Sequence, residues 1–214
     1  NITFTDIQFK NSTTGYICGT TNYFAYTVNG GANWTQAVHP GVLGQRRMKI
    51  SGSDVYTEGD NNQIYKSTDD GVTWSSINFI DGSNINQPAQ GIMYGMDISG
   101  NDMIVTGTSG LINISADGGA SWRNKNYSVG NNLYNFYSIY ALNGTQNVWT
   151  GANGGMIMYS SNRGANWVQQ PTTATNAFYN IDMVNSSTGY ATGGNAFAGV
   201  GYIYKTTNSG STWG

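Results

Sequence analysis

The 214-residue chain carries nine Lys and Arg against eleven Asp and Glu, a formal net charge of −2. No basic field is present to hold nucleic acid or an anionic membrane, so those partners are not expected. Thirty glycines with 13% aromatic residues combine turn formers with strand formers, and no run of about 18 apolar residues exists to insert in a membrane. Cys18 is the only cysteine; with no basic partner in view it reads as a small buried strand residue and forms no internal disulfide.

In chain order the pattern predicts short strands in groups of four. Residues 2–9, 15–19, 23–28 and 33–36 form the first group, and 47–50, 54–58, 63–67 and 72–77 the second. Residues 93–98, 103–107, 111–115 and 121–124 follow, then 136–142, 147–151, 156–160 and 166–169. The final group returns to the first, residues 178–190 matching 4–16 almost position for position. The groups divide the chain near 1–38, 39–79, 80–126, 127–170 and 171–214, a single domain of five repeats.

One octapeptide punctuates each group: Thr27 to Trp34, Ser67 to Trp74, Ser115 to Trp122, Ser160 to Trp167 and Thr206 to Trp213. Each has Ser or Thr first, Asp or Asn third (Asn29, Asp69, Asp117, Asn162, Asn208), Gly fifth (Gly31, Gly71, Gly119, Gly164, Gly210) and Trp eighth. The tryptophans Trp34, Trp74, Trp122, Trp167 and Trp213 are spaced by 40, 48, 45 and 46 residues, which suits a blade of four strands. The chemistry is that of a tight turn. The third side chain accepts backbone N–H groups, the fifth residue takes positive φ, and the indole covers the turn.

These octapeptides resemble Asp-boxes, the S-x-D-x-G-x-x-W turns of BNR-type β-propellers found in sialidases, xyloglucanase-type glycosidases, photosystem assembly factors and secreted bacterial repeat proteins. The resemblance implies an all-β, five-bladed propeller of four-stranded antiparallel blades, with the box between the third and fourth strands. Closure of five blades into a ring is the expectation, and a segment of a longer array the alternative. Fold does not fix function in such a group.

On this topology the boxes lie on one face and the candidate ligand site on the other, where the blade-to-blade connections and second-to-third turns gather. That face supplies the candidate ligand-binding residues His39, Arg46, Arg47, Asp60, Asn61, Asn62, Asp81, Tyr94, Tyr134, Asn153, Phe178, Asn195 and Phe197. Amides and aromatic rings of this kind suit sugar hydroxyls and apolar sugar faces.

Enzyme chemistry finds little support. The four arginines, Arg46, Arg47, Arg123 and Arg163, do not compose the triad that the sialidase resemblance would require. A glycosidase pair would have to come from Glu58, the only glutamate, with Asp60 or Asp81. One His and one Cys supply no zinc set, and neither a phosphate loop nor a calcium loop occurs. Seven Asn-x-Ser/Thr triplets follow from an Asn- and Thr-rich composition. The expectation is a non-enzymatic, cofactor-free and metal-free binding module, lectin-like or adhesin-like, secreted or at the cell surface. It would recognise glycan or protein, with up to five similar sites adding avidity. A docking platform like the assembly factors is the second reading, and a glycoside hydrolase the third.

Overall fold

The computed structural model describes residues 1–41, 44–59, 63–77, 92–129, 132–195 and 197–214. Five antiparallel blade sheets follow one another along the chain, with a two-stranded pair, Ser128–Val129 and Asn132–Leu133, between the third and fourth. The first takes Phe4–Phe9, Gly15–Gly19, Tyr23–Thr27 and Thr35–Gln36 in order. Gln45–Ser51, Asp54–Gly59, Ile64–Ser67 and Ser75–Ile77 make the second. The third holds Met93–Ser99, Asp102–Gly107, Ile112–Ser115 and Arg123–Asn124, and the fourth Phe136–Ala141, Val148–Ala152, Ile157–Ser160 and Val168–Gln170. The fifth has Ala177–Met183, Gly189–Asn195 and Val200–Thr206. A mutual backbone pair between Lys205 and Gly214, at 2.9 and 3.1 Å, only begins a fourth strand there.

The first strand of each sheet packs on the first strand of the next, so the sheets fan out as blades around a central channel of about 300 Å³. First strands from all five sheets line it, through residues such as Asp6, Lys49, Met96, Tyr140 and Asp182. Successive residues of a strand point to opposite faces, and strands such as Val148–Ala152 and Ile112–Ser115 are buried throughout, so a middle blade offers a face to both neighbours. Four core clusters result, one between each consecutive pair. Tyr16, Phe24 and Met48 join the first two blades, and Trp149, Ile157 and Phe178 the last two. Burying side chains of this size stabilises by roughly 1.5–3 kcal/mol each.

The expected closure is not what the structure shows. The first strands of the first and fifth blades do not pack on each other as the consecutive pairs do. Ile7 and Phe9 on one side of the gap and Tyr190 and Ile203 on the other are exposed. The five blades form an arc.

Each octapeptide starts on the last residue of a third strand and ends where the outer strand begins. In all five the first hydroxyl donates to the third side chain, at 2.7 to 3.0 Å, and accepts the N–H of the fifth residue, at 2.8 to 3.0 Å. The third side chain in turn accepts the N–H of the seventh residue. The Thr73 and Ser121 hydroxyls, with their backbone N–H groups, hold Asp69 and Asp117 down at about 2, well below the ordinary carboxylate value. Trp74 and Trp122 each donate their indole N–H to the carbonyl of the fifth residue.

Two successive residues take positive φ in every copy. Gly31, Gly71, Gly119, Gly164 and Gly210 are the second of each pair. Gly30, Asp70, Gly118, Arg163 and Ser209 are the first, a left-handed position that a non-glycine residue can fill at modest cost.

Candidate functional site

A second pocket lies at the mouth where the first strands begin. Thr27, the start of an octapeptide, pairs with Gly15, which pairs with Phe9 at the far end of the first strand. The octapeptides and this mouth therefore occupy opposite ends of the channel.

One residue near the start of every first strand is skipped by the ladder. Phe4 pairs with Gly19 and Asp6 with Cys18, leaving Thr5 unpaired. Arg46, Tyr94, Tyr137 and Tyr179 are passed over in the same way, between Gln45 and Arg47, Met93 and Gly95, Phe136 and Ser138, and Phe178 and Asn180. A bulge at this place bends the strand and re-aims the extra side chain. Five bulges at one level thus turn five side chains toward one opening. Glycine opposite the bulge makes the geometry possible in several blades. A Cβ at Gly107 would run into the carbonyl oxygen of Ile92, on the chain entering that bulge.

Thr5, Arg46, Arg47, Tyr94, Tyr137 and Tyr179 line the pocket, about 260 Å³. The three tyrosines form a continuous wall, ring centroids 5.3 Å apart from Tyr94 to Tyr137 and 5.1 Å from Tyr137 to Tyr179. The Arg46 guanidinium sits 5.4 Å from the Tyr94 ring centre, a cation–π contact, and Arg47 donates to the Tyr94 carbonyl oxygen at 3.3 Å. Thr5 donates to the Gln45 carbonyl oxygen at 2.5 Å, tying the first bulge to the second. The mouth presents an aromatic wall, two guanidinium groups and one hydroxyl.

One layer below, polar groups are buried without hydrogen-bond partners among the described residues: both carboxylate oxygens of Glu58 and the hydroxyls of Thr106 and Ser138. Glu58 pairs with Arg47, and Thr106 with Gly95, so both sit opposite a bulge. Burial pushes the Glu58 carboxyl up to about 8, against the lowering pull of Arg47 and Arg46. Unpartnered buried polar groups cost stability.

Of the residues selected from sequence, Arg46, Arg47 and Tyr94 meet at the pocket. His39 does not: it is buried, its ring nitrogens 2.9 Å from Asn22 Oδ1 and Thr57 Oγ1, its ring 4.7 Å from that of Trp74. Burial lowers its pKa to about 4, a neutral core histidine between the first two blades. Phe178 is likewise a core residue, enclosed by Tyr202 and Tyr204. Tyr134 and Asn153 serve backbone at the junction of the third and fourth blades, Tyr134 O accepting the Gly110 N–H and Asn153 Oδ1 the Asn135 N–H. Asn195 caps its own turn through the N–H groups of Phe197 and Ala198, and Phe197 is fully exposed away from the pocket residues. Asp60, Asn61, Asn62 and Asp81 lie outside the described residues.

Sequence reading missed Thr5, Tyr137 and Tyr179, which looked like ordinary strand residues. Octapeptide spacing gives no common position for Thr5, Arg46, Tyr94, Tyr137 and Tyr179; they become equivalent only once the strand registers are laid side by side.

The arrangement belongs to the class of propeller folds, and comparison with solved structures agrees. No protein-family model matches the chain, and no curated protein matches it. The structure of YCF48 bound to D1 peptide matches with a TM-score of 0.73 at 18% identity, over 100% of this chain and 66% of that one. The extracellular domain of the BT4673 one-component system from B. thetaiotaomicron matches with a TM-score of 0.75 at 14% identity, over 99% of this chain and 27% of that one. The GH74 xyloglucanase from Xanthomonas campestris gives 0.68 at 14% identity, over 95% and 36%. The chain spans less than two thirds of each of these proteins, and the likeness is one of fold.

Proposed function

We propose that the octapeptides are Asp-box turns of a BNR-type propeller, and that the chain is a non-enzymatic docking module whose ligand seats at the bulge mouth. The observation that carries this is the convergence of five bulge residues from five blades on one pocket. A scaffold alone needs no such convergence. The expected ligand is an extended polypeptide segment of a partner protein, its apolar and aromatic side chains on the tyrosine wall and its acidic groups on Arg46 and Arg47. YCF48 is solved with a peptide, which supports this reading.

The mouth is one composite site, so one ligand per chain replaces the five-site avidity that repetition alone suggested. A glycan is the second reading, because three neighbouring tyrosine rings also suit the apolar faces of sugars and a xyloglucanase shares the fold. Low charge and abundant Asn and Thr support a secreted or cell-surface setting.

The test is a screen of peptide and glycan arrays with the 214-residue chain, followed by titration of hits. One saturating site whose affinity falls about tenfold or more in Tyr137→Ala is expected. Binding that is indifferent to Tyr137→Ala and Arg46→Ala together removes the mouth from consideration. Which array yields the hit decides between peptide and glycan.

A further inference from the structure

The three middle blades are buried on both faces, whereas the first and fifth are buried on one. Register makes the comparison residue by residue. The second-strand position opposite the third residue after the bulge is Tyr16, Tyr56, Ile104, Trp149 and Tyr190 in successive blades. The first four are 0 to 3% exposed and Tyr190 is 40% exposed. Its companion on the third strand is Phe24, Ile64, Ile112, Ile157 and Ile203; the first four are fully buried and Ile203 is 71% exposed.

The opposite face shows the mirror image. Ile7 of the first blade is 52% exposed, while its counterparts Met48, Met96 and Ile181 are nearly covered at 3 to 7% and Ile139 is half-buried. The fifth blade thus carries forward the same apolar face that buries four times within the chain, and the first carries the matching rearward face. Large exposed apolar side chains grouped on one face mark an interaction surface.

We infer that each of these faces is one half of an unformed blade junction, and that the occupant is a further blade of the same repeat, seated at the open end of the arc. Four junctions on identical register positions define what fits: a first strand with an apolar residue where Met48 stands, laid across Tyr190 and Ile203. Such a blade would also set its own bulge residue beside Tyr179, extending the wall of the mouth toward Thr5. A sheet face paired in this way is protected from unspecific association.

The test adds a blade to the chain. A copy of residues 36–77 joined after Gly214 supplies the outer strand, a connection and one whole blade; a copy of residues 124–170 serves as an independent second version. Ile203→Asp is expected to shift Tm by about 1 °C or less in the parent, where the side chain is exposed, and by about 5 °C or more in either extended chain, where it would be buried as a charge. Equally small shifts in parent and extended chains overturn the inference, as do added blades without hydrogen-exchange protection. A parent chain that self-associates, and that Ile203→Asp returns to monomer in sedimentation, also overturns it, because a second copy is then the occupant.

Discussion

The two ends of the channel are built on opposite rules. At the octapeptide end five sequences converge on one hydrogen-bond pattern, in which hydroxyl, carboxylate or amide, and backbone N–H groups satisfy each other locally. At the mouth five backbones converge on one bulge, but the residues it displays differ: Thr5, Arg46, Tyr94, Tyr137 and Tyr179. Polar groups beneath it have no hydrogen-bond partner among the described residues. Repetition of side chains is how the chain sets its turns; repetition of backbone with variation of side chains is how it composes the mouth. Mutations should therefore cost stability at one end and binding at the other.

Gly71→Ala should be the most damaging of the changes that follow. Its φ is +86°, and an added Cβ would meet Phe24 Cε1 at 2.6 Å across the first blade junction. A loss of about 3 kcal/mol or more in urea denaturation is expected. Gly199→Ala is the control, because it shares a positive φ but has open space around it, and about 1 kcal/mol is expected there. Equal losses at the two would mean that backbone conformation alone, and not the junction, makes the octapeptide glycine necessary.

Beneath the mouth, Glu58 gives a pH signature. Its native pKa of about 8 lies above the ordinary 4.5, so the native state binds more protons than the unfolded state in that window. Stability should then fall as pH rises from about 4.5 to 8. His39 acts in the opposite sense lower down: with a native pKa near 4 against 6.5, its contribution is present above 6.5 and lost as pH falls toward 4. Of these two groups only Glu58 titrates between 6.5 and 8, so thermal melts there isolate it. Glu58→Gln should flatten that slope and stabilise the protein at pH 8 by about 2 kcal/mol. A slope that persists in Glu58→Gln assigns it to another group.

Much of the fold was legible because its determinants are local. An octapeptide that satisfies its own polar groups within eight residues writes its geometry into adjacent sequence positions, and the strand groups follow from alternation between such turns. Arg46, Arg47 and Tyr94 could be picked from sequence as candidates because they stand near connections. Tyr137 and Tyr179 were not, since a bulge leaves no mark in alternation and shows only when strand registers are laid side by side. His39 was misread because its partners, Asn22, Thr57 and Trp74, come from two different blades. The open seam was hidden for a related reason: exposure of Ile203 depends on what stands beside the fifth blade, whereas its apolar character repeats that of Ile157 and Ile112.

Ser67→Ala tests the octapeptide more gently than the glycine. The buried Ser67 hydroxyl donates to Asp69 at 2.8 Å and accepts the Gly71 N–H at 2.8 Å. Its loss leaves that N–H buried and unsatisfied, for an expected cost of about 1–2 kcal/mol. A neutral outcome would mean that water replaces the hydroxyl and that the turn is held by the Asp69 carboxylate alone.

The smallest effect on stability should come from Tyr179→Ala. Tyr179 is a bulge residue at the edge of the arc, 44% exposed, and its ring touches only that of Tyr137 among the aromatic contacts described. Removing it should cost roughly 0.5–1 kcal/mol, the worth of one aromatic pair. Ligand affinity should fall several-fold at the same time, less than for Tyr137→Ala, whose ring stands in the middle of the wall. A graded loss of binding from Tyr137 to Tyr179 without a matching loss of Tm is the outcome that separates site from scaffold. If binding and Tm fall together at both positions, the wall is packing and the mouth loses its claim as the site.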